Sequence, residues 1–290
     1  MIAVIINPIA GGPSGGTARD RAQRALHALQ QCDEESEIFL SERRGHARDL
    51  AAAAVRQGVR LVIAWGGDGT VNEVATAVSR TSAAIGFVPA GSGNGLAREL
   101  GVSFRPDAAI VDAARATPRQ IDAAELGGKP FFNLAGIGFD AHVADCLSRD
   151  AASRRGLRAY TRIALRELLH YSANTYRVDG AAPCPALLIA IANSSQFGNG
   201  ARIAPGAQLD DGRLDVVVVR ERSRFASACA VPRLFVGGLS RLAVVSSQQA
   251  EQVTVTSDDP MIFHVDGEPH SAGHELTARV YPRALRVCVR

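Results

Sequence analysis

No two cysteines of this chain stand at CxxC spacing. The five present, Cys32, Cys146, Cys184, Cys229 and Cys288, form an odd, dispersed set. That pattern argues against a disulfide framework or a zinc site and for reduced thiols in a cytosol. Long apolar runs are also missing. The longest, Ala186–Ala192, falls far short of a bilayer span. The opening MIAVIINP has neither the basic region nor the apolar length of a signal peptide. Neither sign of charge dominates: the formal net charge is +3, too small to read as a nucleic-acid footprint. Repeats, low-complexity tracts and long linkers are absent. These absences set the expectation of a cytoplasmic chain without an integral membrane segment; its 290 residues are enough for one large domain or two modest ones.

What is present has two rhythms. Over the first 120 or so residues, strand and helix alternate. Apolar runs at Ile2–Ile6, Glu37–Leu40, Leu61–Ala64 and Ala84–Val88 read as strands. Helices are expected at about 18–31, over the Ala-rich Gly45–Gly58, from Thr70 to about Ser79, and from Gly93 through Leu100. This order predicts a parallel three-layer α/β sheet, which binds ligands at the carboxyl ends of its strands. After Ile121 strands dominate: Lys129–Ala135, Thr175–Asp179, Ala186–Ala192, Leu214–Val219, Gln252–Ser257, Met261–Val265, Glu275–Val280 and Leu285–Val289. Helical interruptions are expected near 141–171 and 223–236. The second part therefore reads as antiparallel and β-rich. The expected domains are residues 1–124 and 125–290, meeting near Gly127-Gly128.

Three glycine loops fall at ends of the first strands: NPIAGGPSGG (7–16), GGDGT (66–70) and PAGSGN (89–94). Glycine lets backbone N–H groups turn toward an anion and lets a phosphate come close. Helices starting near Thr17, Thr70 and Gly93 would add positive N-terminal ends. Each loop alone also reads as a tight turn. Together they describe a polyphosphate cleft. GxxxxGK[ST] is absent, which excludes a P-loop ATPase, and no GxGxxG follows the first strand, which weakens a dinucleotide reading.

The stretches GGDGTVNEV, PAGSGNGLAREL and HVDGEP resemble the catalytic domain shared by diacylglycerol kinases, bacterial lipid kinases and sphingosine kinases. SERRGHARDL, FFNLAGIGFDAHV and NSSQFGNGARIAPGAQLDDGRLDVVVV extend the resemblance over nearly the whole chain. It implies an α/β domain of the phosphofructokinase and NAD kinase type, followed by a β-sandwich. It also implies ATP and Mg²⁺ as cofactors, and phosphorylation of a membrane-lipid hydroxyl, diacylglycerol to phosphatidic acid first. One departure matters: many bacterial diacylglycerol kinases read GTxNDFAR in the third loop, and Gly95 stands here in place of their aspartate. The GSGN form and SERRGHARDL are closer to sphingosine kinases, so a sphingoid base or ceramide is the alternative substrate. A soluble substrate and a non-catalytic nucleotide sensor are the remaining readings; intact Asp68 and Glu268 speak against the sensor.

The resemblance distributes roles. Asp68 is expected in the nucleotide–Mg²⁺ site or its water network; the plain alternative is a helix N-cap. Glu268 is the expected general base on the lipid hydroxyl, presented by an Asp-Gly turn. Asn7, Pro8, Gly66, Gly67, Gly69 and Thr70 make up the nucleotide edge, with Gly91, Ser92 and Asn94 along the phosphates and Ser41 and Glu73 beside the nucleotide. Asp122 is expected near the active-site magnesium, or else as a solvated strand-end carboxylate. In APGAQLDDGRLDV (204–216), Gln208, Asp211 and the Arg213 carbonyl match a structural cation site, for which Mg²⁺ or Ca²⁺ would suit; a simple turn is equally compatible.

Arg154, Arg158, Arg162 and Arg166 recur every four residues along one side of a helix. A solvated face is the plain reading. Arg158, with Arg154 or Arg155, also resembles arginines that reach ATP phosphates, and the stripe would suit anionic lipid. Peripheral membrane association is expected, a homodimer is left open, and nucleic acid is not among the partners. His270 and His274 form an HxxxH pair, but it lacks the Glu of HExxH and stands in a β-rich stretch, so it reads as chance spacing.

Overall fold

The computed structural model describes residues 1–12, 16–149, 157–198, 200–221 and 244–290. The tip of the first glycine loop, Arg154, Arg155 and the helix expected over 223–236 lie outside them, as does the side chain of Arg158. Two compact units emerge: Met1–Ala123 with Arg283–Arg290, and Ala124–Pro282.

In the first unit the chain runs β1 (Ile2–Ile6), α1 (Ala18–Gln30), β2 (Ser36–Leu40), α2 (His46–Arg56), β3 (Leu61–Gly66), α3 (Asp68–Val78), β4 (Ala84–Pro89), α4 (Gly95–Glu99) and α5 (Pro106–Arg115). β2, β1, β3 and β4 pair in that order, all parallel. β1 and β3 are buried at every residue, which is why their sequences are continuous apolar runs without alternation. Helix faces supply the rest of the core: Ala25, Ala28 and Leu29 of α1, and Ala109, Ile110, Ala113 and Ala114 of α5. Thr17 starts α1 with a capping box, its hydroxyl accepting the Asp20 N–H while the Asp20 carboxylate accepts the Thr17 N–H.

β5 (Arg119–Leu126) carries the chain into the second unit, followed by β6 (Lys129–Phe131), β7 (Leu134–Gly138), α6 (Phe139–Arg149), α7 (Leu157–Leu168), β8 (Asn174–Val178), β9 (Cys184–Ala192), β10 (Gln196–Gly198) and β11 (Ala201–Arg202). Then come β12 (Leu214–Arg220), β13 (Val245–Ala250), β14 (Gln252–Ser257), β15 (Ile262–Val265), β16 (Glu268–Ser271) and β17 (Glu275–Val287). Pairing here is antiparallel, as the run of strands predicts: β9 lies between β7 and β12, and β14 between β8 and β17. β14 buries Val253, Val255 and Ser257 and turns the residues between outward, the period of a half-covered strand.

Several expectations are corrected. α3 begins at Asp68 and not at Thr70, with Gly67 as its N-cap, so Asp68 is its first helical residue and no N-cap. Lys129–Ala135 splits into β6 and β7. α5 and β5 have no counterpart in the sequence reading. Glu275–Val280 and Leu285–Val289 are one strand, β17, which continues through Pro282. Proline has no N–H to give a ladder and reads as a break. Arg283 follows it at φ 54° and donates its N–H to Asp122 Oδ1 at 2.7 Å. The last eight residues, expected in the second domain, cluster with the first unit: Leu285, Val287 and Cys288 are buried, and Val287 pairs with Ile85 of β4.

Candidate active site

In the first unit, three loops leave the carboxyl ends of β1, β3 and β4 and are tied together by side chains. Asn7 Nδ2 donates to Thr70 Oγ1 at 3.1 Å, joining the first loop to the second. Asp68 joins the second to the third: its Oδ2 accepts the Asn94 N–H and its Oδ1 the Gly95 N–H, each at 2.8 Å. Burial pushes the Asp68 carboxyl above its ordinary range, opposed by these N–H donors. Asn94 sits in the left-handed region at φ 50°, and its side chain closes a ring with Gly91, accepting its N–H at 3.0 Å and donating to its carbonyl at 2.6 Å. Two glycines make the approach possible. A Cβ on Gly91 would lie 2.6 Å from the Gly67 Cα, and one on Gly67 would lie 3.1 Å from the Gly91 Cα. These glycines let two backbones touch. Gly69 is different: it is exposed, and no atom lies within 4 Å of the position of a Cβ. Ser92 is exposed on the third loop.

The N-terminus of α2 is closed by a carboxylate from α3. Glu73 on α3 accepts the Gly45 N–H at 2.8 Å and the Ala47 N–H at 3.1 Å, so its carboxylate caps α2 and orders the SERRGHA segment. Ser41 ends β2 nearly buried, its N–H on the Ile6 carbonyl at 2.9 Å. Asp122 is wholly buried and is not the solvated carboxylate of the plain reading. Arg21 was not foreseen. It lies 2% exposed within the apolar stripe of α1 and donates to the carbonyls of Asn7, at 2.8 Å, and Ala10, thereby holding the first loop on either side of Pro8. A charged residue at a core position of an amphipathic helix is a signal the sequence did carry.

In the second unit, β15 and β16 form a hairpin closed by Asp266 and Gly267, at φ 48° and 84°. Two positive values mark a type I′ turn, for which Asp-Gly is suited. The turn is held from two sides. Asp266 accepts three N–H groups, from Phe132 at 3.1 Å, Asn133 at 3.0 Å and Leu134 at 3.1 Å. His264 Nδ1 accepts the Gly267 N–H at 3.3 Å, which leaves the ring proton on Nε2, directed at Asp140 Oδ2 3.2 Å away. Asp140 and His264 are both buried, and Asp140 Oδ1 accepts the Ala141 N–H at the start of α6. The segment opposite is bound in turn by Asn193, whose Nδ2 donates to the Phe132 carbonyl at 2.9 Å. Glu268 follows the turn with its side chain 36% exposed and Oε1 3.8 Å from His270 Nε2. Its position is therefore set by buried partners while its carboxylate meets solvent.

At 204–216, Asp211 Oδ1 accepts the Arg213 N–H at 3.0 Å, an Asx turn, and Gln249 reaches both Asp211 and Asp215. Gln208 is exposed beside it. Arg158 lies on α7, where Arg162 and Arg166 are exposed. Among the described residues no three acidic, histidine or cysteine side chains converge at the glycine loops. Asp68 is the carboxylate at these loops that could hold a metal-bound water, through lone pairs beyond its bonds to the Asn94 and Gly95 N–H groups.

Two family models cover the chain. Residues 1–126 match the diacylglycerol kinase catalytic domain, and 133–289 match the YegS C-terminal NAD kinase beta sandwich-like domain. A Chromohalobacter salexigens protein described as probable lipid kinase YegS-like is 34% identical over 248 residues, 81% of this chain and 78% of that one. A putative diacylglycerol kinase from Bacillus anthracis superposes with a TM-score of 0.80 at 19% identity, covering 100% of this chain and 97% of that one. An NAD kinase from Archaeoglobus fulgidus in complex with ATP superposes with a TM-score of 0.56 at 13% identity, covering 99% and 93%. At such identities the two structures speak to the fold alone: an α/β domain followed by a β-sandwich, the class expected from the sequence.

Proposed function

The chain belongs to the family of YegS-like lipid kinases, and we propose that it transfers the γ-phosphoryl group of ATP to a membrane-lipid hydroxyl, diacylglycerol first. The observation that carries this reading is the over-determined Asp266-Gly267 turn, which fixes the half-exposed Glu268. Glu268 takes the proton of the lipid hydroxyl as its oxygen forms a bond to the γ-phosphorus. The bond from that phosphorus to the β–γ bridging oxygen breaks, ADP departs with the electron pair, and Glu268 returns the proton to solvent. The chain's other task is to hold the triphosphate in line. Gly69 offers the open approach, and the Asn7–Thr70 and Asp68–Asn94 ties keep the loops rigid. Mg²⁺ beside Asp68 would neutralise charge on the phosphates.

Peripheral attachment is part of the same reading. No helix among the described residues is long and apolar enough to cross a membrane. α7 exposes Leu165 beside Arg162 and Arg166, and Leu169, in the turn just after the helix, is exposed as well. That mixed face suits an anionic lipid surface. Ceramide or a sphingoid base is the second reading, favoured by the GSGN loop, after which Gly95 supplies a backbone N–H to Asp68 and no second carboxylate.

The test is incubation of the protein with radiolabelled ATP, Mg²⁺ and mixed micelles holding diacylglycerol, ceramide or sphingosine in separate tubes. Label should enter one lipid and fall by about 10²–10⁴ in Glu268→Gln, the usual worth of a positioned base. ATP binding without transfer to any lipid would replace this reading with the nucleotide sensor.

A further inference from the structure

We propose that His142, Cys146 and Glu167 form a zinc site stapling α6 to α7, separate from the phosphoryl-transfer residues and independent of them. His142 and Cys146 stand one turn apart on α6 and so share a face. Glu167 comes from α7, whose Ile163 and Leu168 pack with Phe139 and Val143 of α6. The three ligand atoms lie within 4.8 Å of one another, and all three residues are half-buried. His142 Nε2 is 2.9 Å from Glu167 Oε2 and 3.7 Å from Cys146 Sγ.

The usual bond lengths around tetrahedral zinc put nitrogen and sulfur roughly 3.6 Å apart and nitrogen and oxygen roughly 3.3 Å apart. The nitrogen–sulfur pair already has that spacing, and the nitrogen–oxygen pair must open by a few tenths of an ångström. Thiolate with imidazole selects a borderline-soft ion over Mg²⁺. The carboxylate is braced as outer-shell partners brace ligands, its Oε1 accepting from Arg166 at 2.9 Å. Three protein ligands leave a fourth position for water on the exposed side. On binding, the Cys146 thiol loses its proton to solvent, and the imidazole keeps one proton by moving it from Nε2 to Nδ1. The dispersed cysteines gave no zinc spacing because the ligands come from two helices and only one of them is a cysteine.

The test uses the full chain, stripped with a chelator under reducing conditions and titrated with Co²⁺. One equivalent should bind with a thiolate-to-cobalt charge-transfer band. The band should vanish in Cys146→Ser and persist in Cys184→Ser. In the unmodified protein, Zn²⁺ should shield Cys146 selectively from iodoacetamide, read by peptide mass spectrometry. This second measurement needs no variant to fold. Absence of the charge-transfer band, its survival in Cys146→Ser, or equal alkylation of Cys146 with and without Zn²⁺ would each overturn the proposal.

Discussion

Asp266 does at one position what several residues do elsewhere in this chain: a carboxylate collects backbone N–H groups and fixes a loop. Asp266→Ala leaves the Phe132, Asn133 and Leu134 N–H groups without that acceptor. Each unmet buried donor costs about 1–3 kcal/mol, so urea denaturation should show a loss at least of that order. An unchanged denaturation midpoint would mean the segment finds other acceptors. His264 acts on the same turn from the other side. His264→Leu removes the acceptor of the Gly267 N–H, and about 1–1.5 kcal/mol of lost positioning corresponds to roughly tenfold in kcat. Steady-state kinetics should show that fall with the KM for ATP unchanged; a rise in KM alone would show that the histidine serves the nucleotide and not Glu268. At this scale the sequence was partly legible. The Asp-Gly turn that presents the Glu268 carboxylate could be read from the sequence. The double duty of Asp68 and Glu73 as clamps could not, because their N–H partners lie 26 to 28 residues away.

Among the elements, the glycine loops divide into glycines that touch backbone and a glycine that faces open space. A Cβ on Gly91 meets the Gly67 Cα at 2.6 Å, so Gly91→Ala forces the second and third loops apart. Overpacking of this kind costs typically about 1–3 kcal/mol. Gly69→Ala meets nothing within 4 Å and lies within α3, where alanine is the better helix former. Thermal unfolding should rank Gly91→Ala well below Gly69→Ala. Calorimetric titration with ATP should show Gly69→Ala binding more weakly despite its intact fold. Equal ATP affinity in Gly69→Ala and the unmodified protein would move the phosphates away from this loop. α7 makes a parallel case for the lipid surface. Leu165→Glu with Leu169→Glu alters two exposed positions, leaves Ile163 and Leu168 in the core, and should abolish flotation with anionic vesicles. Retained flotation would place the membrane contact on another element.

For the molecule as a whole, the chain's path matters more than its composition. The α/β unit is not closed by its first 123 residues, because Arg283–Arg290 returns to it. Val287 pairs with Ile85, and Leu285, Val287 and Cys288 are buried at 0 to 1% exposure. Deleting 283–290 should therefore destabilise the first unit by several kcal/mol, at about 1.5–3 kcal/mol per fully buried apolar side chain. Limited proteolysis should show this as faster cleavage within residues 1–123. Unaltered cleavage would mean the terminal strand is dispensable. The sequence hid this return because Pro282 reads as a strand break and because composition does not reveal where a terminal segment packs.

Taken by itself, the sequence determined the elements with strong local signals. The buried runs of β1 and β3, the glycine loops after strands, the change from alternating helices to consecutive strands, and the DGE hairpin all follow from periodicity and turn chemistry within a few residues. The tertiary structure alone decided what the polar side chains hold. Asp140 and His264 are 124 residues apart, Asp266 and the segment at 132–134 more than that, and Arg21 meets the carbonyls of Asn7 and Ala10 only once α1 packs on the sheet. Hydrophobic periodicity marks which face of an element is buried. It carries no record of which distant N–H a carboxylate will find there, because that pairing exists only after the strands and helices between the two have been placed.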